Sequence, residues 1–200
     1  TFMSATGDFN TAANWDDGIP DTVAAAGSDD EGIIPTGKIA NMSASYNTAT
    51  GRRFFMTVHG TLNTGANELQ MRSGSIGTNP RGTFGDLVID GGIVNVASGG
   101  RIDIAGIGAD VFVDGGGSLN FEGGSTIQTS KAVEILDGTL MIAASASLAA
   151  NVADEFVVDN SGILALETTG ASITTITGNT LALELGLTST LHMVLGGFHG

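Results

Sequence analysis

One short pattern recurs along most of this chain: a largely apolar triplet, an acidic residue, and then Gly or Asn. It is found as "LVIDG" at 87–91, "VFVDG" at 111–115, "EILDG" at 134–138 and "FVVDN" at 156–160. The acidic positions, Asp90, Asp114, Asp137 and Asp159, are 24, 23 and 22 residues apart. Looser copies place His59 and Glu184 at the acidic position. A period of this length is typical of proteins built from stacked structural repeats.

Each repeat divides into three short segments in which apolar and other residues alternate. "LVID", "IVNVA" and "RIDIA" form one such set, and the next repeat has "VFVD", "SLNFE" and "STIQT". Alternation with a period of two predicts strands, and the Gly, Asp, Asn and Ser between segments favour sharp turns. The sequence therefore predicts an all-β fold, a right-handed parallel β-helix (β-solenoid) of about five or six coils of 22–25 residues. An antiparallel β-sandwich is the alternative, since regular short strands also suit that fold.

The start of the chain differs from the repeats in composition. Residues 1–55 hold the only Trp and two of the three Pro, and we interpret them as an N-terminal cap with an irregular first coil. Residues 56–200 are the predicted β-solenoid. Within it, the long step from His59 to Asp90 contains "SGSIGTNPRGTFG" (73–85), which we interpret as an inserted loop.

Charge and composition narrow the set of partners. A net charge of −14 argues against nucleic acid, because phosphates repel an acidic surface. The absence of Cys excludes disulfides and thiolate metal sites. No apolar run reaches the 18 residues of a membrane span. The 31 Gly fit many tight turns between short strands.

The segment "GDFNTAANWDDGIPD" (7–21) resembles a motif that opens a family of bacterial β-helix proteins. Gly7, Asp8, Asn14, Trp15, Gly18 and Pro20 match the start of secreted, autotransporter-like and PEP-CTERM-type proteins, with Phe9 in place of the usual first Trp. A Gly-rich solenoid follows in that family, as it does here. The resemblance implies an extracellular or cell-surface protein. It implies no particular activity, because such solenoids serve as passengers, stalks, adhesins and enzymes.

Acidic residues near the N-terminus are the candidate metal ligands. Asp16, Asp17, Asp29 and Asp30 offer the carboxylate oxygens that Ca²⁺ prefers. Their spacing does not follow a known calcium loop, so a solvated acidic segment is the alternative. The repeated Asp positions have a similar alternative, because Asp before Gly is a common turn residue.

Three functions are compatible with this pattern. The first is an extracellular structural subunit that forms filaments or sheaths by stacking head to tail on copies of itself. The apolar segment 180–200, which carries one acidic and no basic residue, suggests this function. The second is an adhesin or carbohydrate-binding passenger that contacts surface glycans. The third is a polysaccharide-acting enzyme with Asp103 and Glu122 as its carboxylates. We expect the first, and no enzymatic activity.

Overall fold

The fold is described from a computed structural model of the chain. The residues that it describes are 1–20, 29–47, 53–72, 86–105, 110–129, 133–143, 146–150, 156–158, 161–167, 172–175, 183–185 and 190–194. The inserted loop predicted at 73–85 lies outside them, and so does Asp159.

The described chain forms 21 strands and one short 3₁₀-helix, Ala12–Asn14. In chain order the strands are β1 (Thr6–Asp8), β2 (Asp29–Ile34), β3 (Ile39–Asn41), β4 (Tyr46–Asn47), β5 (Arg53–Val58), β6 (Thr61–Gly65), β7 (Glu68–Arg72), β8 (Leu87–Asp90), β9 (Ile93–Val96), β10 (Arg101–Ala105), β11 (Val111–Asp114), β12 (Gly117–Phe121), β13 (Thr126–Thr129), β14 (Val133–Ile135), β15 (Gly138–Ile142), β16 (Ser147–Ala150), β17 (Phe156–Val158), β18 (Ile163–Glu167), β19 (Ser172–Thr175), β20 (Leu183–Leu185) and β21 (Thr190–Val194).

These strands form three sheets in which every neighbouring pair is parallel. A seven-stranded sheet has the order β2-β5-β8-β11-β14-β17-β20. An eight-stranded sheet has the order β1-β3-β6-β9-β12-β15-β18-β21, and a six-stranded sheet has β4-β7-β10-β13-β16-β19. Successive strands visit the three sheets in turn, so each coil adds one strand to each sheet. This arrangement confirms the predicted parallel β-solenoid and excludes the antiparallel sandwich. The right-handed sense of winding stays a prediction.

The core consists of apolar columns that run from coil to coil. In the eight-stranded sheet, Leu62, Val94, Leu119, Leu140 and Leu164 are register partners in successive strands, and all are fully buried. Residues on either side of them along each strand face outward. This is the alternation read from the sequence, and it places every second residue of a strand in the interior. "AVEILDGTLMIAASASLAA", with a high Ala content, forms strands β14, β15 and β16.

The acidic residues of successive repeats are in register in only some of the predicted coils. Asp90 and Asp114 are direct partners, and His59 lies opposite Asp90, as predicted. Asp137 does not continue this column, because Ile135 pairs with Val113 and Asp137 is therefore displaced by one residue. The alignment of Glu184 with Asp159 was wrong by two residues, since Glu184 pairs with Val157. A shift of two residues preserves which side chains face inward, so alternation alone cannot detect it.

A column of small residues forms the corner between the seven- and eight-stranded sheets. Gly60, Gly92, Gly117, Gly138 and Gly162 stand at equivalent positions of successive coils, each just before or at the start of a strand of the eight-stranded sheet, and all are buried. A Cβ built on Gly92 would lie 2.2 Å from the Val58 carbonyl oxygen. The backbones of neighbouring coils thus approach one another too closely for any side chain.

The N-terminal segment closes one end of this stack. β1 pairs with β3 and so extends the eight-stranded sheet, and the Phe2 amide donates to the Ile33 carbonyl at 2.8 Å. Phe2 and Phe9 pack edge-to-face against the Trp15 ring at 5.1 and 5.2 Å between ring centroids. All three side chains are buried. Within the described residues, no helix has the length and hydropathy that crossing a membrane requires.

Candidate functional site

The outer surface of the eight-stranded sheet is a flat, repetitive face. We name its central six strands the ladder face. It consists of two outward columns, Ile39, Thr61, Ile93, Ser118, Thr139 and Ile163 in the first, and Asn41, Asn63, Asn95, Asn120, Met141 and Ala165 in the second. Parallel pairing sets successive members of a column about 4.8 Å apart. Hydroxyl, amide and aliphatic groups therefore recur at one spacing along the solenoid axis.

Four asparagines of the second column form a hydrogen-bonded ladder. Asn63 Nδ2 donates to Asn41 Oδ1 at 2.8 Å. Asn95 Nδ2 donates to Asn63 Oδ1 at 2.9 Å, and Asn120 Nδ2 donates to Asn95 Oδ1 at 2.9 Å. Met141, the register partner of Asn120, ends the ladder. Because an amide offers two donor hydrogens and two lone pairs, the middle asparagines retain hydrogen-bonding capacity for solvent or a partner.

The ladder face has no charged residue, although the whole chain has a net charge of −14. Its first column also holds two of the three large apolar side chains that are exposed in the described part of the chain. Ile93 is 42% exposed and Ile163 is 36% exposed, and the third is Met3 in the cap, at 49%. The face thus combines uncharged polar groups with two exposed isoleucines.

The acidic repeat did not predict the asparagine column. The signal was present as "IAN" (39–41), "TLN" (61–63), "IVN" (93–95) and "SLN" (118–120), in which Asn closes the same outward-apolar-outward triplet of each coil. Aligning the second strand of each coil, rather than the acidic turn, would have shown the column.

A second polar cluster lies on the outer surface of the six-stranded sheet. Asp103 Oδ2 accepts from Arg101 Nη2 at 3.1 Å and from Gln70 Nε2 at 3.2 Å, and Glu68 Oε1 lies 3.3 Å from Arg101 Nε. Asp103 is only 8% exposed, and its Oδ1 atom is buried without a hydrogen-bond partner. Because this oxygen has almost no accessible surface, a ligand on this face would instead meet the Arg101 and Glu68 side chains, which are 42% and 33% exposed. Glu122, the other carboxylate considered from the sequence, follows β12 of a different sheet and is exposed.

The motif at 7–21 supplies the contacts of the cap. Asn14 Nδ2 donates to the Asp8 carbonyl at 2.8 Å, and Trp15 Nε1 donates to the Phe9 carbonyl at 2.8 Å. A Cβ on Gly7 would lie 2.9 Å from Asn14 Cγ, so this position has room only for glycine. The Pro20 carbonyl accepts from the Tyr46 hydroxyl. These residues therefore hold the cap together.

The Asp8 carboxylate joins the cap to the first coil. It accepts from the backbone amides of Asn10 and Ser43 at 3.1 and 3.2 Å, and from the hydroxyls of Thr11 and Ser43, both at 2.9 Å. Burial alone would raise the pKa of Asp8, but these hydrogen bonds to the charged form outweigh it, and the pKa lies below its ordinary value of 3.8. Asp8 is therefore a structural carboxylate.

The candidate metal ligands are distributed over two elements. Asp16 and Asp17 are exposed next to Trp15, and the Asp16 carboxylate pairs with the amino group of Thr1. Hydrogen bonding to that amino group lowers the pKa of Asp16. Asp29 and Asp30 begin β2, where they pair with Arg53 and Phe54; their side chains lie outside the described part. Among the described residues, no group of three or more His, Asp or Glu side chains is arranged to hold a metal ion, and calcium binding stays a prediction.

The repeated acidic position forms a turn. His59 Nδ1 lies 2.9 Å from the Asp90 carbonyl oxygen and 3.5 Å from Asp90 Oδ2, across one coil spacing. The Asp114 carboxylate accepts from the Gly115 amide at 2.9 Å, and Gly115 has a φ of 59°. The Asp residue therefore fixes the turn, and the Gly after it takes the left-handed backbone conformation that the turn needs.

Comparisons with protein-family models, with curated proteins and with solved structures give no match to this chain. The fold itself defines the class: a parallel β-solenoid with an N-terminal cap and an uncharged outer face.

Proposed function

We propose that this protein is an extracellular structural β-solenoid that assembles with copies of itself. The observation that carries the proposal is the unequal protection of the two ends of the described stack. β19, β20 and β21 each pair with one strand, β16, β17 and β18 respectively, and have no second partner among the described residues. We name the sides of these strands that have no partner among the described residues the open edge. Unpaired N–H and C=O groups in a row are a template for strands of another chain.

The sequence of the open edge offers little protection against such pairing. The strands read "SITT", "LEL" and "TLHMV", with no Lys, Arg or Pro and a single acidic residue. Natural edge strands are commonly guarded by charged residues or Pro. At the opposite end β2 begins with Asp29, Asp30 and Glu31. The charge that discourages pairing is therefore concentrated at one end.

The cap further closes the N-terminal end. Besides the bond from Phe2 to Ile33, the Asn10 side chain accepts from the amides of Ser43 and Ala44 at 3.1 and 3.2 Å. Head-to-tail stacking, the arrangement predicted from the sequence, requires the open edge of a second copy to bind against this capped end. Pairing between the open edges of two copies does not involve the capped end. Head-to-tail stacking stays a prediction, and the structure supports the pairing of open edges better.

The extracellular assignment is supported by the motif at 7–21. Its matching positions Asp8, Asn14 and Trp15 all make cap contacts. The segment that resembles the opening of secreted β-helix proteins thus precedes a parallel solenoid, which is the order that the resemblance implies.

The test is the association state of the purified chain, measured by sedimentation velocity and negative-stain electron microscopy. We expect association that strengthens with protein concentration. It should also strengthen with salt, because the Debye length falls from about 30 Å at 0.01 M to about 8 Å at 0.15 M and screens the repulsion between acidic copies. Open-edge pairing gives discrete dimers, whereas head-to-tail stacking gives filaments. A chain that stays monomeric at high concentration and 0.5 M salt contradicts the proposal.

Glycan binding is a second candidate function, favoured by the partly exposed ion pair of Arg101 and Glu68, which the buried Asp103 holds in place. Arg101 and Glu68 on neighbouring strands can donate to and accept from sugar hydroxyls. Affinity electrophoresis in gels containing a neutral polysaccharide, such as dextran or xylan, tests it. We expect retardation of the wild type that Asp103→Ala abolishes and Glu122→Ala leaves unchanged. Equal mobility of all three proteins with and without polysaccharide would rule this function out.

A further inference from the structure

We propose that the ladder face is a lateral interface, on which the same face of a second copy docks. This inference rests on the proposed function, because it names a surface through which copies associate. It is separate from the open edge, since the ladder face lies along the side of the stack and the open edge lies at its end.

The first argument is electrostatic. Two copies of a chain with a net charge of −14 repel one another over most of their surface. The ladder face has twelve residues without a charge over six consecutive strands, and of these only Ala165 is buried. Charged residues stand at its rim, where Lys38 precedes β3, Glu122 follows β12 and Glu167 is the last residue of β18. Contact through this face keeps like charges apart, and a partner of strong charge of either sign would gain nothing from it.

The second argument concerns apolar area. Ile93 and Ile163 are 42% and 36% exposed in one column, and burying them removes apolar surface from water. Six strands at about 4.8 Å, with two outward residues per strand, give a flat patch on the order of 400 Å² per copy. A pair would bury about 800 Å², below the 1,200–2,000 Å² of stable complexes. The interface between two single copies is therefore weak and reversible. It gains strength where copies that are already linked to one another bind through several ladder faces at once.

The third argument is hydrogen bonding. Asn63 and Asn95 each donate one N–H to the ladder and accept one, which leaves a second N–H and a second lone pair on each. The neighbouring column supplies the hydroxyls of Thr61, Ser118 and Thr139. A face that carries both donors and acceptors at one spacing is complementary to itself. Two-fold pairing of identical patches is the commonest arrangement of homo-oligomers.

The experiment compares two double variants that add the same charge. Ile93→Glu/Ile163→Glu places carboxylates in the ladder face, and Asn47→Glu/Ser98→Glu places them at exposed positions outside it. Sedimentation equilibrium at 0.15 M salt should show association weakened by about tenfold or more in the first variant, because a carboxylate is costly to bury without a partner. The second variant should associate like the wild type. Far-UV circular dichroism checks that both variants keep their strands.

A cross-linking measurement covers the case in which the first variant fails to fold. The chain has no Cys, so Ser118→Cys introduces a single thiol on the ladder face, and Asn47→Cys introduces one elsewhere. A short bis-maleimide should join Ser118→Cys copies into dimers at a much higher yield than Asn47→Cys copies. Equal yields, or equal association of the two double variants, would overturn the ladder face while leaving self-association intact. A wild type that never associates would overturn both.

Discussion

The corner column of glycines gives the sharpest test of how closely the coils stack. In Gly92→Ala, the new Cβ lies 2.2 Å from the Val58 carbonyl oxygen and 2.8 Å from the Gly60 carbonyl oxygen. Both obstacles are backbone atoms, so no side chain can rotate away. The coils must separate locally by about 1 Å, which strains the hydrogen bond from the Ile93 amide to the Gly60 carbonyl, now 2.8 Å.

The expected cost follows from these two effects. Overpacking costs about 1–3 kcal/mol, and each weakened backbone hydrogen bond adds about 1 kcal/mol. We therefore expect Gly92→Ala to lower the free energy of unfolding by about 3 kcal/mol or more. The measurement is the urea midpoint followed by far-UV circular dichroism, which reports on all three sheets rather than on the cap alone.

Gly99→Ala is the matched control. Gly99 has a φ of 79°, and a Cβ there meets nothing within 4 Å. Its substitution costs only the left-handed backbone penalty of about 1–2 kcal/mol. If Gly92→Ala were no more destabilising than Gly99→Ala, the close approach of neighbouring coils at this corner would be refuted.

Three further predictions concern the ladder and the cap. Asn95→Ala removes both ladder bonds of that residue and should lower the free energy of unfolding by about 1–2 kcal/mol, whereas Asn47→Ala, at an exposed site, should leave the urea midpoint almost unchanged. Met141→Asn should extend the ladder beyond Asn120 and raise the free energy of unfolding by about 0.5–1 kcal/mol; a lower urea midpoint than that of the wild type would contradict the pairing. Asp8→Asn should be less stable than the wild type at pH 6. Because the folded pKa of Asp8 is lowered, the wild-type advantage is present above the unfolded pKa and should shrink as the pH falls below about 4; an advantage that is constant from pH 6 to pH 2.5 would refute this role.

The coil architecture was predictable because one period organises the whole repeat. Apolar residues alternate in three segments per unit, and this property predicts that Leu119, Val94 and Leu140 face the interior, where all three are buried. The place of His59 opposite Asp90 also followed from the pattern. A solenoid architecture can be predicted from sequence when each coil repeats the hydrophobic pattern of its neighbour.

Register was harder to predict where turns change length. Val113 pairs with Ile135, and Gly117 pairs with Gly138. Three residues lie between Val113 and Gly117, but only two lie between Ile135 and Gly138, so the shorter turn keeps the glycines in register. The corner column, rather than the acidic residue, therefore keeps the coils aligned. Glycine at a position of close backbone contact constrains register more strongly than a turn carboxylate does, because the carboxylate can move by one residue without a clash.

The candidate site was not predictable from charge and motif. Acidic side chains mark candidate metal and catalytic sites in a sequence, whereas the ladder face is defined by the absence of charge. The ladder itself depends on the outward side of one strand in each coil, so it becomes visible only after Asn41, Asn63, Asn95 and Asn120 are placed in register. The orphaned oxygen of Asp103 depends on burial, which the sequence does not contain.

Engineered disulfides test the in-register parallel stacking, on which the cap, the ladder face and the open edge all depend. Ser118 and Thr139 are outward register partners in β12 and β15, at a spacing that a disulfide can bridge. Ser118 and Met141 lie about 8 Å apart on the diagonal, beyond that reach. Oxidised at low concentration, Ser118→Cys/Thr139→Cys should form an intramolecular disulfide, and Ser118→Cys/Met141→Cys should not. Failure of the first pair, or equal bridging by both, would contradict the register.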